Sequence, residues 1–171
     1  MDARERAKMF FKNAGVVLTE KEAENIEIAD FGLNDLEKIG LEIVVYVNTD
    51  KVCSKELALF PWQTCPEHRH PPFGGRDGKE ETFRCRKGTV YLYIEGDKNC
   101  EPKLNGLDDY AEFLQVSHEI ILTSGEQYTL RPNLKHWFRA GAEGAIVSEF
   151  STPSTDENDI FTDPRVVRVP E

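Results

Sequence analysis

The chain has 171 residues, a formal net charge of −10 and a hydrophobic fraction of 39%, and these values exclude several classes of protein. They predict one domain with an apolar core of its own. No run approaches the ~18 apolar residues of a membrane span, and the first residues lack the apolar stretch of a signal peptide. The acidic balance argues against nucleic-acid binding because no basic stripe is present. We therefore expect a cytoplasmic protein without membrane or nucleic-acid partners.

The first 30 residues predict two short helices. Apolar residues at helical spacing mark the first, from Arg4 to Asn13. Thr19 followed by Glu22 forms a capping box that opens the second, from Glu20 to about Ile28. The N-terminal segment 1–30 is thus expected to be helical.

From residue 41 onward the pattern changes to short strands separated by glycine-rich turns. The candidate strands are Leu41–Val47, Lys55–Phe60, Thr82–Arg86, Val90–Glu95, Gln115–Leu122, Gln127–Arg131, Trp137–Ala140 and Ala145–Phe150. This pattern predicts an all-β barrel or sandwich over 41–150. Prolines and an acidic run predict an extended tail over 151–171, which completes a single domain over 1–171.

The four cysteines show no metal-binding pattern. Cys53, Cys65, Cys85 and Cys100 form no C-x-x-C pair and match no zinc-ribbon spacing. In a chain without a secretory signal they are expected to be free thiols that pack as small apolar groups.

Three of the four histidines and one glutamate form a candidate metal site. His68 and His70 stand two residues apart, so on a strand both side chains project from the same face, although the flanking prolines also allow a solvent-facing turn. Glu81 and His136 would complete three nitrogen ligands and one oxygen ligand, leaving open positions on an octahedral ion. His118 lies in a candidate strand and is expected to be a barrel residue rather than a ligand.

This pattern resembles the two sequence motifs of the cupin superfamily, G-x5-H-x-H-x3,4-E-x6-G and G-x5-P-x-G-x2-H-x3-N. The E-x6-G spacing selects Glu81 over its neighbour Glu80. Ten residues separate His70 from Glu81, against three or four in the motif, which indicates an inserted loop over Phe73–Glu80 at the barrel mouth. The second motif keeps His136 but lacks its final asparagine. The resemblance implies a cupin-type antiparallel β-barrel (jelly roll) with a four-ligand metal site.

Nearly the whole chain is similar to the short bacterial D-lyxose isomerases, a family of cupin-type ketol isomerases. The similar segments include KELALFP at 55–61, CPEHRHPP at 65–72, KEETFRCR at 79–86, KHWF at 135–138 and FTDPR at 161–165. The resemblance implies interconversion of D-lyxose and D-xylulose, with D-mannose and D-fructose as a second pair. It also implies a homodimer and a divalent metal, commonly Mn²⁺, while Co²⁺, Ni²⁺, Fe²⁺ and Zn²⁺ also suit this ligand set.

Two residues are candidates for the proton transfers of this reaction. Aldose–ketose isomerisation needs a carboxylate that reaches a carbon-bound proton. Glu149 ends a candidate strand and points inward if Val147 does, so it is the candidate base. Lys55 matches a site lysine of the resembling isomerases, and its ammonium could stabilise a sugar oxyanion or move a proton between oxygens.

Three further residues are candidates for sugar binding. Lys79 lies two residues before Glu81 and could enter the mouth of the barrel. Asp163 and Arg165 could fold over the opening with the tail and bind sugar hydroxyls, or belong to an ordinary polar tail.

Other functions remain open at the level of sequence. A phosphosugar isomerase needs several cations near the mouth, and five lie close together in the chain: Arg69, Arg76, Lys79, Arg84 and Arg86. A cupin oxygenase would not need Glu149. A non-catalytic sugar-binding cupin would keep the metal site and could lose Glu149 without penalty.

Overall fold

The computed structural model describes residues 1–168, so the last three residues of the predicted tail 151–171 lie outside the described residues. The helices and strands are α1 (Ala3–Asn13), α2 (Glu20–Glu24), β1 (Glu27–Ala29), β2 (Leu41–Asn48), β3 (Cys53–Leu59), β4 (Thr64–Arg69), β5 (Glu81–Ile94), β6 (His118–Thr123), β7 (Gln127–Leu130), β8 (His136–Ser151) and β9 (Ile160–Phe161). Two single 3₁₀ turns lie at Ala111–Phe113 and Asp156–Asn158.

The strands form a curled sheet in which β8 is central. The second half of β8 pairs with β3 and with the first half of β5, whereas its first half pairs with β4 and with the second half of β5. β5 also pairs with β6 and β7, and β1, β2 and β9 extend the sheet at its edges. The pairings between these strands are antiparallel, and the predicted all-β class is confirmed.

The predicted N-terminal helices need one correction. The first helix is confirmed, and the capping box of Thr19 and Glu22 opens the second as expected. The second helix ends at Glu24, so its predicted extension to about Ile28 was wrong. Ile28 belongs instead to β1, because its backbone pairs with Glu42 of β2.

Two pairs of predicted strands are in fact two long bent strands. The merged pairs are Thr82–Arg86 with Val90–Glu95 in β5, and Trp137–Ala140 with Ala145–Phe150 in β8. The glycines that indicated turns lie at the bends. Gly88 has a φ of 78°, and a Cβ there would lie 2.1 Å from the carbonyl oxygen of Gly144. Register shifts flank this point, so the glycine permits a bulge that curves β5 without ending it.

The apolar side chains form two clusters. The larger fills the barrel between the curled strands and includes Trp137, Phe138, Phe83 and Leu92. The smaller lies between α1 and the outer face of the sheet, where Phe11 packs with side chains of β2, β3 and β8. The N-terminal helices therefore cover the outside of the barrel and do not occupy its interior.

Candidate metal centre and active site

Four buried side chains converge inside the barrel. His68 lies on β4, His70 follows the end of that strand, Glu81 begins β5 and His136 begins β8. One ligand atom from each lies within 4.8 Å of the other three. Each residue is no more than 7% exposed. The structure thus brings together the four residues that the sequence singles out.

A β-bulge places His68 in this cluster. Cys65 pairs with Phe138 and His68 with His136, so three steps along β4 match two along β8. Without the bulge the alternation of side chains would put Cys65 and His68 on opposite faces. The extra residue falls at Pro66 or its neighbour, and proline lacks the N–H that a regular ladder requires.

The ring nitrogens of the three histidines are oriented by hydrogen bonds. His68 Nδ1 lies 2.8 Å from the Pro66 carbonyl oxygen, and His136 Nδ1 lies 3.0 Å from that of Leu134. A carbonyl accepts only from a protonated nitrogen, so the lone pair of each ring is at Nε2. The buried Nε2 of His136 makes no well-formed hydrogen bond within residues 1–168, although Glu81 Oε1 lies 3.0 Å away, so its lone pair is free to bind a metal.

The charge states also suit a divalent cation. Burial would raise the pKa of Glu81, but the ammonium of Lys79 and the imidazole of His70 hold it well below its usual range. Burial, with the His136 and His70 rings close by, lowers the pKa of His68 well below its ordinary value. Ionised carboxylates and neutral imidazoles are the forms that bind metals, and Glu81 and His68 are in these forms. Burial opposes the charge on His70, but Glu81 and Asp159 raise its pKa to about 9, so a metal must displace a proton from this ring. The residues present therefore fit a divalent metal.

Lys79 connects this cluster to the candidate base. Its Nζ lies 2.7 Å from Glu81 Oε2 and 2.5 Å from Glu149 Oε1, and the three side chains are almost fully buried. Burial opposes the charge on Lys79, yet the carboxylates of Glu149 and Glu81 raise its pKa, so the ammonium stays protonated. Glu149 faces the interior, because it pairs with Phe83 of β5 in the row of inward side chains.

Lys55 lies on the same interior face. It pairs directly with Glu149 across β3 and β8, and its Nζ donates to Ser154 Oγ at 3.0 Å and to Asp156 Oδ1 at 3.3 Å. Burial would raise the pKa of Asp156, but Lys55 and Arg168 lower it. The carboxylate therefore ties the C-terminal segment to the barrel wall through Lys55, and its other oxygen pairs with Arg168 of the same segment.

Asp163 and Arg165 lie elsewhere. The Arg165 guanidinium donates to Asp163 and to the Asp109 carbonyl, and it stacks on the rings of Tyr110 and Phe113. Neither residue is among those lining the two cavities described below. Their contact with a sugar stays a prediction.

Sequence reasoning missed one contact at the centre of the site. Asp159 Oδ1 lies 2.5 Å from Nδ1 of His70, and both side chains are buried. The acidic run 156–159 was expected only to form part of an extended tail. A cluster of carboxylates shortly after the last barrel strand is the single signal that could have indicated it, and such clusters are usually solvated.

Two cavities meet at these residues. The interior cavity of about 40 Å³ is lined by residues that include Lys55, Glu81 and Glu149, and it holds little more than one water. The outer cavity has a volume of about 600 Å³ and lies between the loop 71–80 and the tail. His70, Lys79 and Asp159 line both and form the wall between them.

Comparison with known proteins identifies the family. The chain is 58% identical over 170 residues to a D-lyxose/D-mannose isomerase of Thermosediminibacter oceani, covering 99% of this chain and 94% of the relative. It is 56% identical over 169 residues to a D-lyxose ketol-isomerase of Cohnella laeviribosi, covering 99% and 93%. The chain belongs to the D-lyxose ketol-isomerase family. The resemblance inferred from the sequence is thereby confirmed, and members of this family are aldose–ketose isomerases.

Solved structures support the fold of this D-lyxose ketol-isomerase family member. The L-ribose isomerase of Acinetobacter sp. DL28 in complex with L-ribose superposes with a TM-score of 0.75 at 16% identity, covering 95% of this chain and 90% of that one. The L-ribose isomerase of Cellulomonas parahominis gives a TM-score of 0.72 at 15% identity with the same coverage. The cupin-type barrel is thus confirmed.

No protein-family model matches the chain. Among the residues that the structure describes, no helix combines the length and apolar character required to cross a membrane.

Proposed function

We propose that the protein is a metal-dependent isomerase that interconverts D-lyxose and D-xylulose, and D-mannose and D-fructose, by proton transfer through a cis-enediol. The observation that carries the proposal is the buried Lys79–Glu149 ion pair, which holds a carboxylate beside the four-residue cluster. The names of the two relatives support lyxose and mannose as substrates.

The metal would be held by the cluster of His68, His70, Glu81 and His136. When bound there, a divalent metal supplies Lewis-acid stabilisation of the negative charge that develops on two neighbouring sugar oxygens. Mn²⁺ stays a prediction, because a His₃Glu set also suits Co²⁺, Ni²⁺, Fe²⁺ and Zn²⁺.

Glu149 is the proposed base. Its carboxylate takes the proton from C2 of the aldose and returns it to C1 of the enediol, while a second proton moves from the C2 hydroxyl to the C1 oxygen. The Lys79 ammonium fixes the orientation of this carboxylate through the 2.5 Å ion pair. Burial excludes bulk water, so the proton taken from C2 remains available for C1.

Lys55 is proposed to act at the sugar oxygens. Its position opposite Glu149 supports this role, since both side chains face the interior cavity. Its ammonium, which is paired with Asp156, can donate a hydrogen bond to an oxygen as negative charge develops there. Lys79, which lines both cavities, is proposed to contact the sugar in addition to holding Glu149.

The charges around the outer cavity support a neutral sugar over a phosphosugar. Its lining includes two cations, Arg76 and Lys79, and three acidic residues. Lys79 is already paired with two carboxylates, and Arg76 donates to a backbone carbonyl. Arg84 binds Gln127 away from the cavity, so the five basic residues near each other in sequence do not form one phosphate site.

A turnover assay on metal-stripped protein tests the proposal. D-lyxose, D-mannose and a phosphosugar are each offered with and without added Mn²⁺, and ketose formation is measured. We expect metal-dependent turnover of the free sugars and little of the phosphosugar. Turnover of the phosphosugar alone would favour the phosphosugar isomerase. Tight Mn²⁺ binding without turnover of any sugar would favour a binding module or an oxygenase.

Homodimeric assembly stays a prediction from the family resemblance. The cytoplasmic location stays a prediction from the composition of the sequence.

A further inference from the structure

The three candidate histidine ligands are oriented in two different ways. Nδ1 of His68 and Nδ1 of His136 each donate a hydrogen bond to the backbone carbonyl two residues earlier in the chain, at 2.8 and 3.0 Å. Nδ1 of His70 is instead hydrogen-bonded to a side chain, the carboxylate of Asp159, which lies 89 residues away in sequence. Two rings are therefore fixed by their own strands, whereas the third depends on the C-terminal segment.

That segment packs tightly against the strand that carries the histidines. Phe161 of β9 pairs with His68, and its ring stacks on the imidazole with centroids 5.2 Å apart. The Thr162 amide donates to the Glu67 carbonyl, and its hydroxyl donates to the Glu67 carboxylate at 2.6 Å. These contacts bring Asp159 to His70 and make the segment one wall of the cluster.

We propose that Asp159 is a positioning residue for His70, and that docking of the C-terminal segment 156–163 and binding of the metal strengthen each other. The proposal rests on the metal centre of the proposed function. An acceptor on Nδ1 fixes the tautomer and the ring orientation of a ligating histidine, and loss of such a partner typically costs 10–100-fold in metal affinity. Because coupling is reciprocal, bound metal must favour the docked segment by the same factor.

Metal affinity is the first test, with Co²⁺ as the probe and no sugar present. Chelator competition should show Co²⁺ binding weakened about 10–100-fold in Asp159→Ala. Asp159→Asn should remain within a few-fold of the wild type, because the amide oxygen accepts the same hydrogen bond from Nδ1. Glu157→Gln, at an exposed acidic residue in the 3₁₀ turn just before Asp159, is the matched control and should bind as the wild type does.

The second test measures the segment itself. Hydrogen exchange of the amides of residues 160–162 should slow on Co²⁺ binding in the wild type and in Asp159→Asn. In Asp159→Ala, Co²⁺ at concentrations that saturate the metal site should slow the exchange of these amides far less. Metal-free melting temperatures of the variants serve as the check that each has folded.

Two results would overturn the proposal. One is wild-type Co²⁺ affinity in Asp159→Ala, and the other is equal weakening in Asp159→Ala and Asp159→Asn, which would exclude the acceptor role. Sugar turnover is not used in either test. A protein that shows the coupling but isomerises no sugar would therefore contradict only the proposed catalytic function.

Discussion

Lys79 lies between two buried carboxylates, and this arrangement separates the roles of two chemically identical side chains. Glu81 contacts the histidines, with its Oε1 at 3.0 Å from Nε2 of both His70 and His136. Glu149 contacts the ammonium from the other side and lies outside the cluster. Substitution of Glu149 should therefore affect proton transfer and leave the metal ligands in place.

Glu149→Gln should reduce turnover by about 10²–10⁴-fold, because it removes the general base at an almost unchanged size. Metal content, measured by elemental analysis, should equal that of the wild type. Glu143→Gln, an exposed glutamate on the same strand, is the control and should turn over normally. Normal turnover in Glu149→Gln would place the base at another residue.

Glu42 is another buried carboxyl group, and it lies outside the metal cluster. It is fully buried, Oε1 accepts a hydrogen bond from Gln63, and Oε2 has no partner within the described residues. Burial raises its pKa from 4.5 to about 8. Between these pH values the folded protein keeps a proton that the unfolded chain loses. The free energy of unfolding therefore decreases as the pH rises through this range.

Glu42→Gln imitates the protonated carboxyl group and should remove this pH dependence. The variant should match the wild type near pH 4.5 and exceed it at pH 8 by a few kcal/mol, on the order of 1.4 kcal/mol per unit of pKa shift. Urea unfolding at several pH values measures the difference. Glu24→Gln, at an exposed position, should leave the pH dependence unchanged. A wild-type pH profile in Glu42→Gln would contradict the raised pKa.

At the scale of elements, the loop 71–80 connects two candidate metal-ligand positions, His70 and Glu81, and it contacts the backbone of His70. Gly78 has a φ of 100°, and a Cβ there would lie 2.3 Å from the carbonyl oxygen of His70. Gly75 also has a positive φ, 79°, but a Cβ there would meet nothing within 4 Å. Substituting each glycine in turn therefore distinguishes the effect of backbone strain, which both positions share, from the effect of a steric clash, which only Gly78 has.

Gly78→Ala should displace the backbone at His70 and lower turnover on the order of 10²-fold, because a shift of about 1 Å at a reacting centre has that effect. Gly75→Ala shares only the strained φ, so it should lose some stability and stay within a few-fold of wild-type turnover. Parallel assays and melting curves of the two variants give the comparison. Equal losses of turnover would mean that the contact with His70 is unimportant.

The elements also show where sequence patterns succeed. Short apolar segments between turn residues located most of the barrel strands, and Glu22 three residues after Thr19 located the start of α2. Glycines did not distinguish a turn from a bulge. A turn was expected at Gly88, but this glycine permits a bulge within the continuous strand β5. β4 was missed because Pro66 interrupts it and its residues carry no alternating apolar pattern, and its hydrogen bonds come from a distant strand, β8.

At the scale of the whole molecule, the metal centre should contribute to global stability. Its ligands come from β4, the residue beyond it, β5 and β8, so bound metal would join segments that unfolding separates. A ligand at 100 times its Kd stabilises the folded state by about 2.7 kcal/mol. For a domain of this size that corresponds to roughly 5–10 °C in melting temperature.

Chelation should therefore lower the Tm of metal-loaded protein by about 5–10 °C, as measured by calorimetry. His136→Ala should bind little metal, so its Tm should be insensitive to the chelator. His118→Ala is the control, because His118 contacts the Asp97 carbonyl and lies outside the cluster. An equal chelator response in His136→Ala and the wild type would remove His136 from the ligand set.

The sequence by itself determined the ligand types, the class of fold and the family, since residue chemistry, spacing and side-chain alternation are local properties of the chain. Motif spacing also distinguished Glu81 from Glu80 as the candidate ligand, and strand parity predicted that Glu149 points inward. Only the tertiary structure decided that Lys79 pairs with both carboxylates, that Asp159 binds His70, and that Asp163 and Arg165 bind each other. These contacts depend on strand register, on the bulge in β4 and on the path of the C-terminal segment. All three are set by packing between distant parts of the chain, which no local pattern encodes.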